Sequence, residues 1–97
     1  MNVGVCKVKL RLPENQSLKG KRQVINSIIT RVRNKYNVAI AEVDDQDLWQ
    51  LATLGIAYVS NDAKHVDEVL SKVVGFVSQS RFEVEMLDYE IEIAPFH

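Results

Sequence analysis

At 97 residues the chain has room for one domain, read as residues 1–97 throughout. Its 46% apolar and 26% charged residues and formal net charge of −1 exclude a disordered tail, a collagen-like repeat and a disulfide scaffold. The single cysteine, Cys6, has no internal partner and points to a reducing, cytoplasmic compartment. The longest nearly apolar run, 51–59, falls far short of the ~20 residues that span a bilayer, and the alternating N-terminus carries no signal-peptide apolar region.

The first element is residues 3–12. Cys6, Val8, Leu10 and Leu12 point one way and Val5, Lys7, Lys9 and Arg11 the other, which predicts a half-buried strand with a basic outer face. Pro13 ends it, and Ser17 is a cap for the helix that follows. Leu18, Arg22, Val24, Ile25, Ile28, Ile29, Val32 and Tyr36 recur at helical spacing over about 18 residues, with Arg31, Arg33 and Lys35 near the negative end of the helix dipole. Asn37 marks the exit.

Residues 38–44 and 51–60 predict two strands joined by the polar turn Asp44, Asp45, Gln46 and Asp47, an antiparallel hairpin with a long or bulged connection. Asn61 and Asp62 cap a second helix, whose apolar stripe is Val66, Val69, Leu70, Val73, Phe76 and Val77. The last strand covers 82–93. Phe82, Val84 and Met86 share one parity and Leu87, Tyr89, Ile91 and Ile93 the other, so a bulge near 86–88 is needed to bring both sets to the core. The order strand, helix, strand, strand, helix, strand is the ferredoxin-like βαββαβ plan, an α+β sandwich. Its antiparallel sheet has strand order 4-1-3-2, with both helices on one face. The expected core includes Cys6, Val8, Leu10, Ile25, Ile28, Val32, Val69, Val73, Phe76, Tyr89 and Ile91.

Charge is unevenly divided. Residues 1–35 carry nine basic and one acidic side chain, while residues 36–97 carry three basic and twelve acidic ones. This split suits an anionic partner for the basic part, and equally a fold in which the two parts neutralise each other.

Four segments resemble the YlxP-like family of small bacterial proteins: Ser-Leu-Lys-Gly-Lys-Arg at 17–22, Asn-Val-Ala-Ile-Ala-Glu-Val-Asp at 37–44, Gln-Asp-Leu-Trp-Gln at 46–50, and Leu-Gly-Ile-Ala-Tyr-Val-Ser-Asn-Asp at 54–62. Gly20 stands where the family pattern has an acidic residue. The resemblance implies a ferredoxin-like fold in a bacterial cytoplasm. It also implies a setting near RNA or the ribosome, because such proteins are often encoded beside transcription-elongation and translation-initiation factors. It implies no established activity.

The candidate chemistry is sparse. His65, His97 and Cys6 have no metal-ligand spacing, and Cys6 shares parity with Val8 and Leu10, as expected of an inert buried thiol. Asp44, Asp45 and Asp47 with Glu42 offer carboxylates for Mg²⁺, or simply a turn. Acylphosphatases share this plan, but their phosphate-loop motif is absent from 13–22. RNA-recognition domains share it too, but the first strand here lacks the aromatics on which they stack bases. No catalytic residue, metal or cofactor is expected.

Two binding surfaces remain. Lys19, Gly20, Lys21 and Arg22 crowd the positive end of the first helix, where backbone amides favour a phosphate or RNA backbone. Lys7, Lys9 and Arg11, with Trp49, are candidate contacts on the open sheet face, although Glu90, Glu92 and Glu83 or Glu85 on the last strand should face the basic row. Val3 and Val5 with some of Leu54, Ile56 and Tyr58 are expected to form an apolar patch there, favouring a homodimer. These readings describe a non-enzymatic cytoplasmic factor that contacts RNA or a ribosome-associated particle electrostatically and has no membrane contact. The alternative is a self-associating protein-interaction or small-ligand regulatory module.

Overall fold

A computed structural model describes residues 1–79 and 83–97. Six elements follow in chain order: β1 (Asn2–Arg11), α1 (Leu18–Lys35), β2 (Ala39–Asp44), β3 (Leu51–Ser60), α2 (Ala63–Gln79) and β4 (Glu85–Pro95). The sheet order is β2-β3-β1-β4 with every neighbour antiparallel. Read from the other edge this is 4-1-3-2, the ferredoxin-like α+β fold. Phe82, expected in the last strand, lies outside the described residues.

Period-two alternation decides which side of the sheet is covered. Cys6, Val8 and Leu10 of β1, Ala52, Leu54 and Ile56 of β3 and Ile40 of β2 are buried beneath the helices. The opposite faces of these strands are left without a helix. α2 packs on β1, β3 and β4, and α1 on β2. Gly4 is the point of closest approach, where an added Cβ would overlap the side chains of Val66 and Leu70.

The caps follow local chemistry. Ser17 Oγ accepts the Gly20 amide at 2.9 Å, and Asp62 Oδ1 accepts the Lys64 amide at 3.0 Å, so each helix has an orphan donor satisfied. At the far end of α1, Tyr36 meets Phe76 edge-on with ring centroids 6.0 Å apart, and the Lys35 ammonium lies 4.8 Å over Phe76.

Bulges set the remaining register. β4 carries the extra residue Leu87, since Leu10 pairs with Met86 and Lys9 with Asp88. Met86, Ile91 and Ile93 thereby turn toward the core. The pairing with Val8 puts Tyr89 on the same side, yet its ring lies at the sheet edge, 51% exposed rather than in the core. Leu87 is similarly exposed, and Val69 is only half-buried. The register of β2 against β3 shifts after Glu42, the bulge expected of that hairpin.

Candidate functional site

The positive end of α1 does not form the anion site that its sequence suggests. Lys21 is fully buried. Its ammonium donates to the carbonyls of Asp45 at 2.7 Å, Gln46 at 3.2 Å and Leu51 at 3.0 Å, using all three protons. Glu42 Oε2 lies 3.0 Å from the same nitrogen and supplies the counter-charge; this oxygen accepts no hydrogen bond in the described geometry. The Gly20 amide is already taken by Ser17 Oγ, and Asn15 Oδ1 occupies the space beside the bare Gly20 Cα. Of the four residues, only Lys19 and Arg22 are exposed. The apolar stripe of α1 passes through Lys21, and Arg22 points to solvent.

The sequence held a signal for this. Lys21 stands in the series 18, 21, 25, 28, 32, and Ile25, Ile28 and Val32 of that series are buried. Glu42 shares inward parity with Ile40. An acid and a base on two buried faces are best satisfied by each other. Around them the loops interlock: Asn15 Nδ2 donates to Ser17 O at 2.7 Å and Trp49 O at 2.5 Å, and Gln50 Nε2 donates to Pro13 O at 3.3 Å and Asn15 O at 3.2 Å. The Trp49 backbone belongs to this lock, while its indole is 55% exposed and away from the core.

The acidic turn serves the same lock. Asp45 adopts a left-handed backbone (φ 62°), its Oδ2 accepts Thr53 Oγ1 at 2.7 Å, and Lys9 lies 3.9 Å from that oxygen. Among the described residues no group of three or more His, Cys, Asp or Glu is placed to hold a metal ion. Cys6 is buried, and burial pushes its thiol up to about 11. His65 Nε2 instead pairs with Tyr58 O–H at 3.1 Å.

The uncovered sheet face is the larger feature. Lys7, Lys9 and Arg11 are exposed on it, with Glu90, Asp88 and Glu85 directly opposite on β4. Arg11 and Glu85 approach to 3.7 Å. Beside this two-signed ladder lies an open depression of about 580 Å³, floored by Val5, Ala39, Ala41, Val43, Gly55 and Ala57, with Lys7, Arg33, Glu90 and Glu92 among its lining residues. Val43 folds over Gly55, whose missing side chain leaves room for it. The expected patch is therefore corrected: Leu54 and Ile56 are core residues, and Gly55, Ala57 and Val59 are the outward residues of β3.

No helix among the described residues is long and apolar enough to cross a membrane. By fold, the chain is similar to the de novo designed protein Foldit4, with a TM-score of 0.54 and 12% identity over 100% of both chains. By sequence, it is 39% identical over 75 residues to the "Uncharacterized protein YlxP" of Bacillus subtilis (strain 168), which covers 77% of this chain and 82% of that protein. The family profile described as "Protein of unknown function (DUF503)" matches residues 3–91. On that match and that identity, the chain belongs to the DUF503, or YlxP-like, family of proteins of unknown function.

Proposed function

We propose that the chain is a non-enzymatic interaction module that self-associates through the uncovered face of its sheet. The observation that carries this reading is the apolar depression lying beside both signs of charge on one face. A polyanion laid across that face would meet Glu85, Asp88, Glu90 and Glu92 as well as Lys7, Lys9 and Arg11. A second copy of the chain carries the same apolar floor and both signs of charge, so a two-fold axis between the basic and acidic rows would set each row against its opposite, as an isologous interface requires. The size suits it too. Three strands of ten or eleven residues and one of six make a face of roughly 600 Å² at standard strand spacings, on the order of the ~800 Å² that each partner contributes to an ordinary interface.

The RNA reading keeps only Lys19 and Arg22 at the start of α1, since Lys21 is internal. Sedimentation equilibrium over a concentration series is the test, with circular dichroism to confirm that Ala41→Glu and Ala57→Glu remain folded. The wild type is expected to dimerise and each variant to weaken the dimer about tenfold or more, about 1.4 kcal/mol. A monomeric wild type, or a dimer indifferent to both substitutions, overturns the proposal. So does RNA-oligonucleotide binding at low salt that is lost in a Lys19→Ala, Arg22→Ala double variant while the protein stays monomeric.

A further inference from the structure

The two edges of the sheet are treated differently. At β2, the Arg33 guanidinium donates to the Ile40 carbonyl at 3.0 Å, occupying one carbonyl of that six-residue strand. β4 is longer, 11 residues, and beyond the bulge at Leu87 its stretch 88–95 pairs with β1 without a break in register. Among the described residues no strand pairs with its outer side. With no strand beyond it, that side is a template for one more strand; the Tyr89 amide is held by Asp88 Oδ1, so the template is the stretch from Glu90 onward.

Beside the edge runs a groove between β4 and α2, whose lining combines Val74, Gly75, Met86, Leu87 and Tyr89 with the polar Ser71, Ser78 and Asp88. Gly75 has nothing within 4 Å of the place a Cβ would occupy, so the helix side of the groove is open. On the other face of the same strand stand Asp88, Glu90 and Glu92. Among the described residues none of the three comes within ion-pair distance of a base, although Lys7 and Lys9 stand opposite Glu90 and Asp88 across β1; Asp88 Oδ1 accepts the Tyr89 amide at 2.8 Å.

We infer that the β4 edge binds an extended segment of a partner protein in which basic and apolar residues alternate. Backbone groups of the segment extend the sheet. Its basic side chains lie beside Asp88, Glu90 and Glu92, and its apolar ones enter the groove at Tyr89 and Gly75. β1, the strand already paired on the other side of β4, has this same alternation in Lys7, Val8, Lys9 and Leu10. The acids also exclude the competing occupant: two β4 edges pairing with each other would set carboxylates against carboxylates, which is destabilising. The backbone edge itself stays free when the open face is covered, but Glu90 and Glu92 belong to that face, so the peptide is titrated at protein concentrations at which sedimentation shows a monomer.

The probe is a blocked octapeptide of alternating lysine and valine, titrated into the full chain and followed by amide exchange and fluorescence anisotropy. Binding is expected to slow exchange within 90–94, and the Glu90→Lys, Glu92→Lys double variant to bind at least about tenfold more weakly. A peptide of alternating glutamate and valine is expected to bind the wild type no better than that variant binds the lysine peptide. An N-methylated lysine peptide, which keeps its charge but cannot complete the strand hydrogen bonds, is expected to lose binding. Equal binding of the N-methylated peptide, equal affinity in the double variant, or protection at β2 instead of β4 overturns the inference. Variants at Glu90 and Glu92 are read for folding by circular dichroism, and both residues are solvent-exposed.

Discussion

The ammonium of Lys21 has been taken wholly out of water, a transfer that costs several kcal/mol unless every proton and the charge are met. Three carbonyls and Glu42 meet them. Replacing the lysine strands the carbonyls of the 45–51 segment and leaves the half-buried Glu42 without its partner. Lys21→Met is expected to lower the unfolding free energy by about 3–5 kcal/mol in urea titrations. The Lys21→Met, Glu42→Leu double variant is expected to recover part of that loss, since both charges then leave together. A cost below about 1 kcal/mol for Lys21→Met would mean that the ammonium does not hold the loop. Cys6 carries a pH signature with a definite sign. Its folded value of about 11 lies above the ordinary 9.0, so between these two the unfolded chain releases a proton that the folded chain keeps. Stability is therefore expected to fall across pH 9–11, by about 2–3 kcal/mol in total. The difference between wild type and Cys6→Ala, measured at pH 8 and pH 10.5, isolates that contribution from other groups.

Among the elements, α2 shows how one missing atom sets a packing distance. It lies on β1 where Gly4 has no side chain, so Val66 and Leu70 occupy the space a methyl would take. Neither can withdraw, because both are fully buried in the core. Gly4→Ala is expected to destabilise the domain by about 1–3 kcal/mol through overpacking. Gly75, on the same helix, is the control: a Cβ there meets nothing, and Gly75→Ala is expected to stabilise by up to about 1 kcal/mol through helix propensity. Thermal melts should move in opposite directions, by roughly 4–8 °C per kcal/mol for a domain of this size. The groove beside β4 opens at Gly75, so a glycine on β1 lets α2 pack closely and a glycine on α2 leaves access.

At the scale of the molecule, the basic first third and the acidic remainder are folded against each other. β1 lies beside β4 in a register that sets Lys7 against Glu90 and Lys9 against Asp88. Lys9 reaches Asp45, Arg11 reaches Glu85, and Lys21 reaches Glu42. Arg33 is turned to a backbone carbonyl and Lys35 to aromatic rings. Charge that would serve a polyanion if collected on one surface is thus distributed over internal and cross-strand contacts. Three of the four segments that carry the family resemblance meet in the same way: Glu42 from 37–44 and Gln46 from 46–50 converge on the ammonium of Lys21 from 17–22. Their common role in this fold is to lock the loop between β2 and β3.

The element order, the Ser17 cap and the need for a bulge near 86–88 were legible in the sequence, because each rests on periodicity or capping among residues a few positions apart; the 4-1-3-2 topology followed from the ferredoxin-like plan which that order matches. Whether a charged residue faces water was not legible, because that depends on what the rest of the chain brings to it. Lys21 reads as a surface cation until a loop more than twenty residues away delivers three carbonyls. Tyr89 reads as core by parity until the packing of α2 leaves its ring beside the open groove at Gly75. The phase of β3 is the same kind of case: 51–59 is apolar on both faces, so only burial under the helices separates Leu54 and Ile56 from Gly55 and Ala57. Local spacing determined the elements; the dielectric environment of each side chain was decided by the tertiary structure, since burial and the supply of partners are properties of the assembled fold.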